Sequence, residues 1–363
     1  MAIKLLENFP SRPANALAGV VLLATASLCS AFPGDSLYAS AGRYLTASDG
    51  TKLNFYCRGK GSPTVVFESG DGDWSPSWAT VQPEVSQWTR ACSYDRSGSG
   101  FSSKGPLPVS DRRSAEQLRS ALRNGDIRGP YILVGHASGG NIARTFADLY
   151  NSDVAGMVLI DPAERDVETT HDLDDSWRGI DERNQGYLAF CRDAVVAHKP
   201  FPVTPPAEHP GWTCLSYSYR GVPDARFSTE LNNALVEIMS TKSDMWEALL
   251  SSVGQRTSDI EFLKSHRQSL GSRPLRIILA AYEIPPTSRL PAAERIKFNE
   301  GFRAGGMNLL NLSTNAKLIS TDTGAFVQFE KPDIVINAIR EVFDQAKCPP
   351  RAARRAQTSS QCS

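Results

Sequence analysis

The stretch YILVGHASGGNIAR, Tyr131 to Arg144, carries the spacing of a reacting centre. An apolar strand runs into a glycine-rich turn and then a helix-like segment. Such a corner lifts one side chain out of the backbone and offers it as a nucleophile. The frame runs from Gly135 to Gly139, and its central position is Ala137, whose methyl group cannot attack a carbonyl. Other chemistry-bearing residues are sparse. The five histidines are His136, inside the turn, and His171, His198, His209 and His266, all between residues 164 and 273. No metal-ligand spacing or cofactor motif is present, and the turn lacks the G-x-x-x-x-G-K-[ST] phosphate pattern.

The elements that position this corner read as a parallel sheet. RYLTASDGTKLNFYCRG predicts a hairpin around Ser48-Asp49-Gly50. PTVVFESG (Pro63–Gly70), the start of ACSYDRSGSGFS (Ala91–Ser102), YILVG, GMVLIDP (Gly156–Pro162) and LRIILAA (Leu275–Ala281) predict buried strands, with AKLIST (Ala316–Thr321) a weaker last one. Continuous Val/Ile/Leu runs separated by helix-like segments such as SAEQLRSALRNG imply a sheet covered on both faces. Between about Glu164 and Arg273 the strand rhythm stops, and amphipathic segments and a Pro-rich connector replace it. This interval reads as a helical cap inserted over the carboxyl edge of the sheet.

Composition bounds the rest. The 363 residues carry 39 basic and 39 acidic side chains, so no charge excess points to nucleic acid. Lys4 and Arg12 precede an apolar run from about Ala16 to Leu28, the length of a signal-peptide core and short for a membrane span. Residues 1–39 are therefore expected to be a signal peptide and linker, with cleavage after Ala31 or Ala39, and the protein to be secreted or periplasmic. The alternatives are lipidation at Cys29 or an uncleaved N-terminal anchor; no other contact with a membrane is expected. Six cysteines remain, and their order suggests Cys57–Cys92, Cys191–Cys214 and Cys348–Cys362 among 15 connectivities. One domain is expected over residues 40–346, its core 40–163 and 274–346 and its cap about 164–273. Residues 347–363, with the basic cluster Arg351–Arg355, read as a disordered tail.

Five blocks in order, VVFESGDGDWSPSW, CSYDRSGSGFS, LVGHASGGNIARTFADLY, GMVLIDPA and TDTGAFVQFEKPDIVINAIREVF, resemble the α/β-hydrolases. More narrowly they resemble exported, esterase-like members with a helical cap, over roughly Arg43 to Gln345. The resemblance implies a mostly parallel sheet with helices on both faces, and a serine, acid and histidine in that chain order. It places the nucleophile at position 137 and the base at position 325, after Thr323-Gly324; both are alanine here. Asp161, ending the strand in LIDPA, is the implied acid, and Glu283, after LRIILAAY, is the runner-up. Apart from catalysis, Asp161 can cap the turn before Pro162. The resemblance also sets the strands of Cys57 and Cys92 side by side, which favours that bridge.

The implied oxyanion hole comprises the backbone N–H groups of Asp71 and Ser138. Ser138 is a poor substitute nucleophile, because in such a corner its side chain points away from the reacting centre. His171 is the best placed of the remaining histidines to serve as a base. The side chains of Asp71 and Asp73 suit an anion-stabilising site badly and are expected to face solvent, and Trp74 and Trp78 to pack. Asp161, buried without an imidazole partner, is expected to titrate above a free aspartate.

Removing the serine or histidine of such a unit costs on the order of 10⁶ in turnover. The chain as written is thus expected to bind a small apolar ester-like ligand in the capped pocket and to turn over almost none of it. Two origins fit. One is an active esterase whose nucleophile and base were replaced deliberately, which the two clean losses to alanine favour; the other is a natural pseudohydrolase acting as a small-molecule binding protein. The cap, which sets the substrate in such proteins, has no readable motif.

Overall fold

The computed structural model describes residue 32 and residues 34–164, 174–205, 213–217, 221–281 and 291–347. Eight strands form one sheet: β1 (Arg43–Thr46), β2 (Lys52–Arg58), β3 (Thr64–Glu68), β4 (Ala91–Tyr94), β5 (Tyr131–His136), β6 (Val154–Ile160), β7 (Leu275–Ala280) and β8 (Ala316–Thr321). Their spatial order is β1-β2-β4-β3-β5-β6-β7-β8. The β1–β2 and β2–β4 pairs are antiparallel and all the others parallel. Each strand read from the sequence is present. The central strands β3, β4 and β5 are buried along their whole length, which is why they read as continuous apolar runs and not as alternating ones.

Helices cover both faces. The helix α1 (Asp111–Asn124) starts where the Ser110 side chain accepts a bond from the Arg113 N–H, and it buries Ala115, Leu118, Ala121 and Leu122. With α2 (Ser138–Leu149) it closes one apolar layer, in which Leu118, Phe146 and Leu133 meet. On the other face α7 (Pro332–Lys347) presents Val335, Ala338, Ile339, Val342 and Phe343, a helical stripe, against Val65, Ile132 and Val158.

The described residues between 164 and 273 hold helices and no strand: α3 (Asp174–Val196), α4 (Thr229–Thr241) and α5 (Ser243–Ser265). They enclose an apolar cluster of their own around Leu188, Leu235 and Trp246, which continues into Tyr38 and Trp74 of the sheet domain. One more long helix, α6 (Ala292–Asn308), lies between β7 and β8.

Among the described residues two disulfides are formed. Cys57 and Cys92 face each other across the β2–β4 register, and Cys191 of α3 is bonded to Cys214. Cys348 and Cys362 lie outside the described residues, as do residues 1–31 and 33, whereas Asp35–Ala39, read as linker, form a short 3-10 turn with Tyr38 buried and its hydroxyl donating to Gln82. Among the described residues no helix is long and apolar enough to cross a membrane, and no cluster of three metal-ligating side chains occurs.

Candidate active site

The corner after β5 is built as its sequence suggests. Gly135 and Gly139 leave no room for a side chain. A Cβ on Gly135 would lie 2.6 Å from the Gly139 carbonyl oxygen, and one on Gly139 would lie 2.4 Å from that of Ser69. Between them Ala137 takes φ 49° and ψ −123°, a conformation that an L-residue adopts only under strain of about 1–3 kcal/mol. Glycine carries no such penalty. Ala137→Gly is therefore expected to stabilise the fold by about 1 kcal/mol, after the added freedom of the unfolded chain is subtracted. Urea denaturation checks this, and an unchanged or lower midpoint would refute it.

Ala137, Asp161 and Ala325 line one cavity of about 530 Å³. The topology brings them there: Ala137 follows β5, Asp161 follows β6, and Ala325 lies on the loop after β8. His136 holds the last loop in place, since its Nε2–H donates to the Ala325 carbonyl at 3.0 Å while its ring packs on Phe326. Glu283, His171 and His209 lie outside the described residues. His198 and His266 are described, and neither lines this cavity.

Asp161 also has a positive φ, 41°. Burial pushes its carboxyl up to about 6, opposed only by a backbone N–H from Ala280. The folded chain thus keeps a proton between about pH 3.8 and 6 that the unfolded chain has released. The associated stability is complete below the lower value and is lost as pH rises through the upper one. Asp161→Asn, which keeps the acceptor for Ala280 but cannot ionise, is expected to gain about 2–3 kcal/mol over the parent at about pH 8 and little at about pH 4. Denaturant titrations at both pH values test this; an equal offset at the two would count against it.

The loop after β3 abuts this corner: a Cβ on Gly70 would sit 3.3 Å from that of Ala137. Among the described residues neither the Asp71 nor the Ser138 N–H donates a hydrogen bond. Both residues line a separate cavity of about 100 Å³, and neither lines the cavity at Ala137. The loop is braced from beneath. Arg96, from the SYDRSG stretch, is buried; its Nη1 donates to Glu68 Oε1 at 2.7 Å and to the Ser69 carbonyl, and its Nη2 to the Gly70 carbonyl at 2.7 Å. Trp78 packs on Phe67 at 4.8 Å between ring centroids, and its Nε1–H donates to Ser69 Oγ. Trp74 and Trp78 are thus packing residues, as expected.

Two expectations need correction. Asp71 does not face solvent: its carboxylate accepts from Arg256 Nη2 at 3.0 Å, with Arg96 4.0 Å away. Burial alone would push its pKa up, but the two guanidinium groups outweigh that and hold it below the ordinary range. Asp73 is buried as well, at 4 % exposure. The loop can carry acidic residues because the cap supplies the countercharge. Arg256 lies on α5, and its Nη1 also donates to Asp181 of α3 at 2.7 Å. The Ser138 hydroxyl, near Asp71 but outside hydrogen-bond geometry, is buried beside a separate cavity of about 100 Å³, away from the Ala137 pocket.

The second correction concerns the pocket wall. None of the described lining residues comes from α3, α4 or α5; the wall facing Ala137 is α6, through Asn299, Phe302, Arg303 and Met307. The segment Pro291–Asn308 has a strongly charged composition and no clean amphipathic stripe, so its sequence carried no sign of a role at the site.

A family model described as the alpha/beta hydrolase fold matches residues 63–200. The chain is 32 % identical over 106 residues to the uncharacterized protein YqjL of Bacillus subtilis, covering 29 % of this chain and 42 % of that one. It is 35 % identical over 106 residues to an uncharacterized vacuolar membrane protein of Saccharomyces cerevisiae, covering 28 % and 16 %. The match spans less than half the length of these relatives. Among solved structures, an esterase from Thermogutta terrifontis superposes with a TM-score of 0.54 at 19 % identity, over 85 % of this chain and 99 % of that one. An enol-lactonase from Burkholderia xenovorans gives 0.55 at 16 %, over 83 % and 100 %. Identities this low speak to the fold alone. Together with the sheet order and the strained corner at Ala137, they establish that this chain is an α/β-hydrolase-fold protein.

Proposed function

We propose that this chain belongs to the serine ester hydrolase lineage and, as written, binds small esters without hydrolysing them. In this reading Ala137 holds the nucleophile position, Ala325 that of the base, and Asp161 is the acid left without its imidazole. The observation that carries it is the convergence of these three residues on one largely apolar cavity. The cavity volume suits an ester of modest size. The strain kept at Ala137 supports a corner shaped for a reacting side chain, since an alanine there gains nothing from it.

Export through the N-terminal segment belongs to the same reading. It is supported by two disulfides, which persist in oxidising compartments. The direct test is hydrolysis of p-nitrophenyl acetate and butyrate by the purified chain. The expected release of p-nitrophenol equals that of a serum-albumin blank. Saturable turnover well above the blank would overturn the reading.

A further inference from the structure

The cavity next to Ala137 is mostly apolar, walled by Leu279, Leu318, Phe302 and Met307. Two charged side chains line it among the described residues. Asp161 belongs to the corner where acyl chemistry would occur. Arg303 comes from α6, on the same helical row as Asn299 and Met307, four residues before and after it.

Arg303 differs from the other arginines around the site. Arg96, Arg144 and Arg256 each form an ion pair. Arg303 makes no ion pair or hydrogen bond among the described residues, although Glu300 stands one turn earlier on its own helix. An exposed guanidinium at the mouth of an apolar cavity offers a planar fork of N–H donors matched to a carboxylate. Pockets of this kind use a few polar groups to orient a ligand whose body is held by apolar walls.

We propose that Arg303 makes the pocket selective for esters that carry a carboxylate remote from the ester bond, that is, half-esters of dicarboxylic acids. The proposal rests on the ester-binding reading above and adds the substrate class. A half-ester places its ester group at the Ala137 corner, its methylene chain against the leucines and its carboxylate on Arg303. One cation is matched to one negative charge, and no second basic side chain among the described lining residues favours a phosphate dianion.

The test is calorimetric titration of the chain as written with monomethyl adipate and with dimethyl adipate, which share a methylene chain and differ in charge. Expected is roughly tenfold tighter binding of the monomethyl ester at low ionic strength, the size of one charge-assisted contact at an exposed site. That ratio is expected to fall toward one at about 0.5 M salt, where the contact is screened. In Arg303→Gln the ratio is expected to be near one at every salt concentration. The salt series on the unaltered chain reads the same interaction without any substitution. Equal affinities for the two esters at low salt, or an unchanged ratio in Arg303→Gln, would overturn the role of Arg303 and leave ester binding standing. If neither ester binds, the ester-binding reading itself falls.

Discussion

The double substitution Ala137→Ser, Ala325→His is expected to raise hydrolysis of short p-nitrophenyl esters by on the order of 10⁴ over the chain as written, whereas Ala137→Ser alone gains less than about tenfold. A serine at the strained corner would direct its Oγ into the cavity that Asp161 and position 325 share. Its oxygen attacks the ester carbonyl carbon, and the proton passes to the imidazole. The carbonyl π electrons move onto oxygen, and the proposed oxyanion-hole N–H groups of Asp71 and Ser138 would donate hydrogen bonds to that charge. Collapse expels the alcohol with that proton, and water then releases the acid by the same route. Without the imidazole the serine stays protonated and barely reacts, so the two changes act as a unit and not additively. The loop at 325 is already tethered by its own carbonyl to His136, so a histidine there starts from a fixed backbone. A doubly substituted protein that is folded yet inert would favour a natural pseudohydrolase whose pocket serves binding alone.

Arg96→Leu carries the largest expected cost in stability, about 3–5 kcal/mol, because it leaves the buried Glu68 carboxylate without its cation. Glu68 is 2 % exposed, and burial already raises its pKa against the pull of Arg96. The carbonyls of Ser69 and Gly70 would lose donors at the same time. Adding Glu68→Gln to Arg96→Leu is expected to recover part of the loss, since the stranded charge disappears. Urea denaturation of the two single variants and the double variant measures this coupling. Additive losses would show that the ion pair does not hold the loop. In an active background the same Arg96 substitution should lower kcat more than it raises KM if the loop after β3 serves as the proposed oxyanion loop, because Arg96 braces that loop and does not line the cavity.

What could be read along the chain is what close packing imposes on neighbours in sequence. Sheet strands covered on both faces must be apolar throughout, and a strand-to-helix corner without room for Cβ atoms must have glycine at 135 and 139. These demands recur at fixed local spacing, so the eight strands and the glycine-framed corner around Ala137 were visible in the sequence itself. Position 325 and Asp161 were visible only through the family's chain order, which records a fold already known. The supports of the site had no such signature. Asp71 meets Arg256 across 185 residues, and Arg96 meets Glu68 across 28, separations at which an ion pair leaves no pattern in composition or periodicity. That the described wall over Ala137 is α6, and that Arg303 stands on it unpaired among the described residues, depends on how a helix between β7 and β8 packs against the sheet. Local propensity determines that such a helix can form; only tertiary packing decides which of its faces meets the cavity.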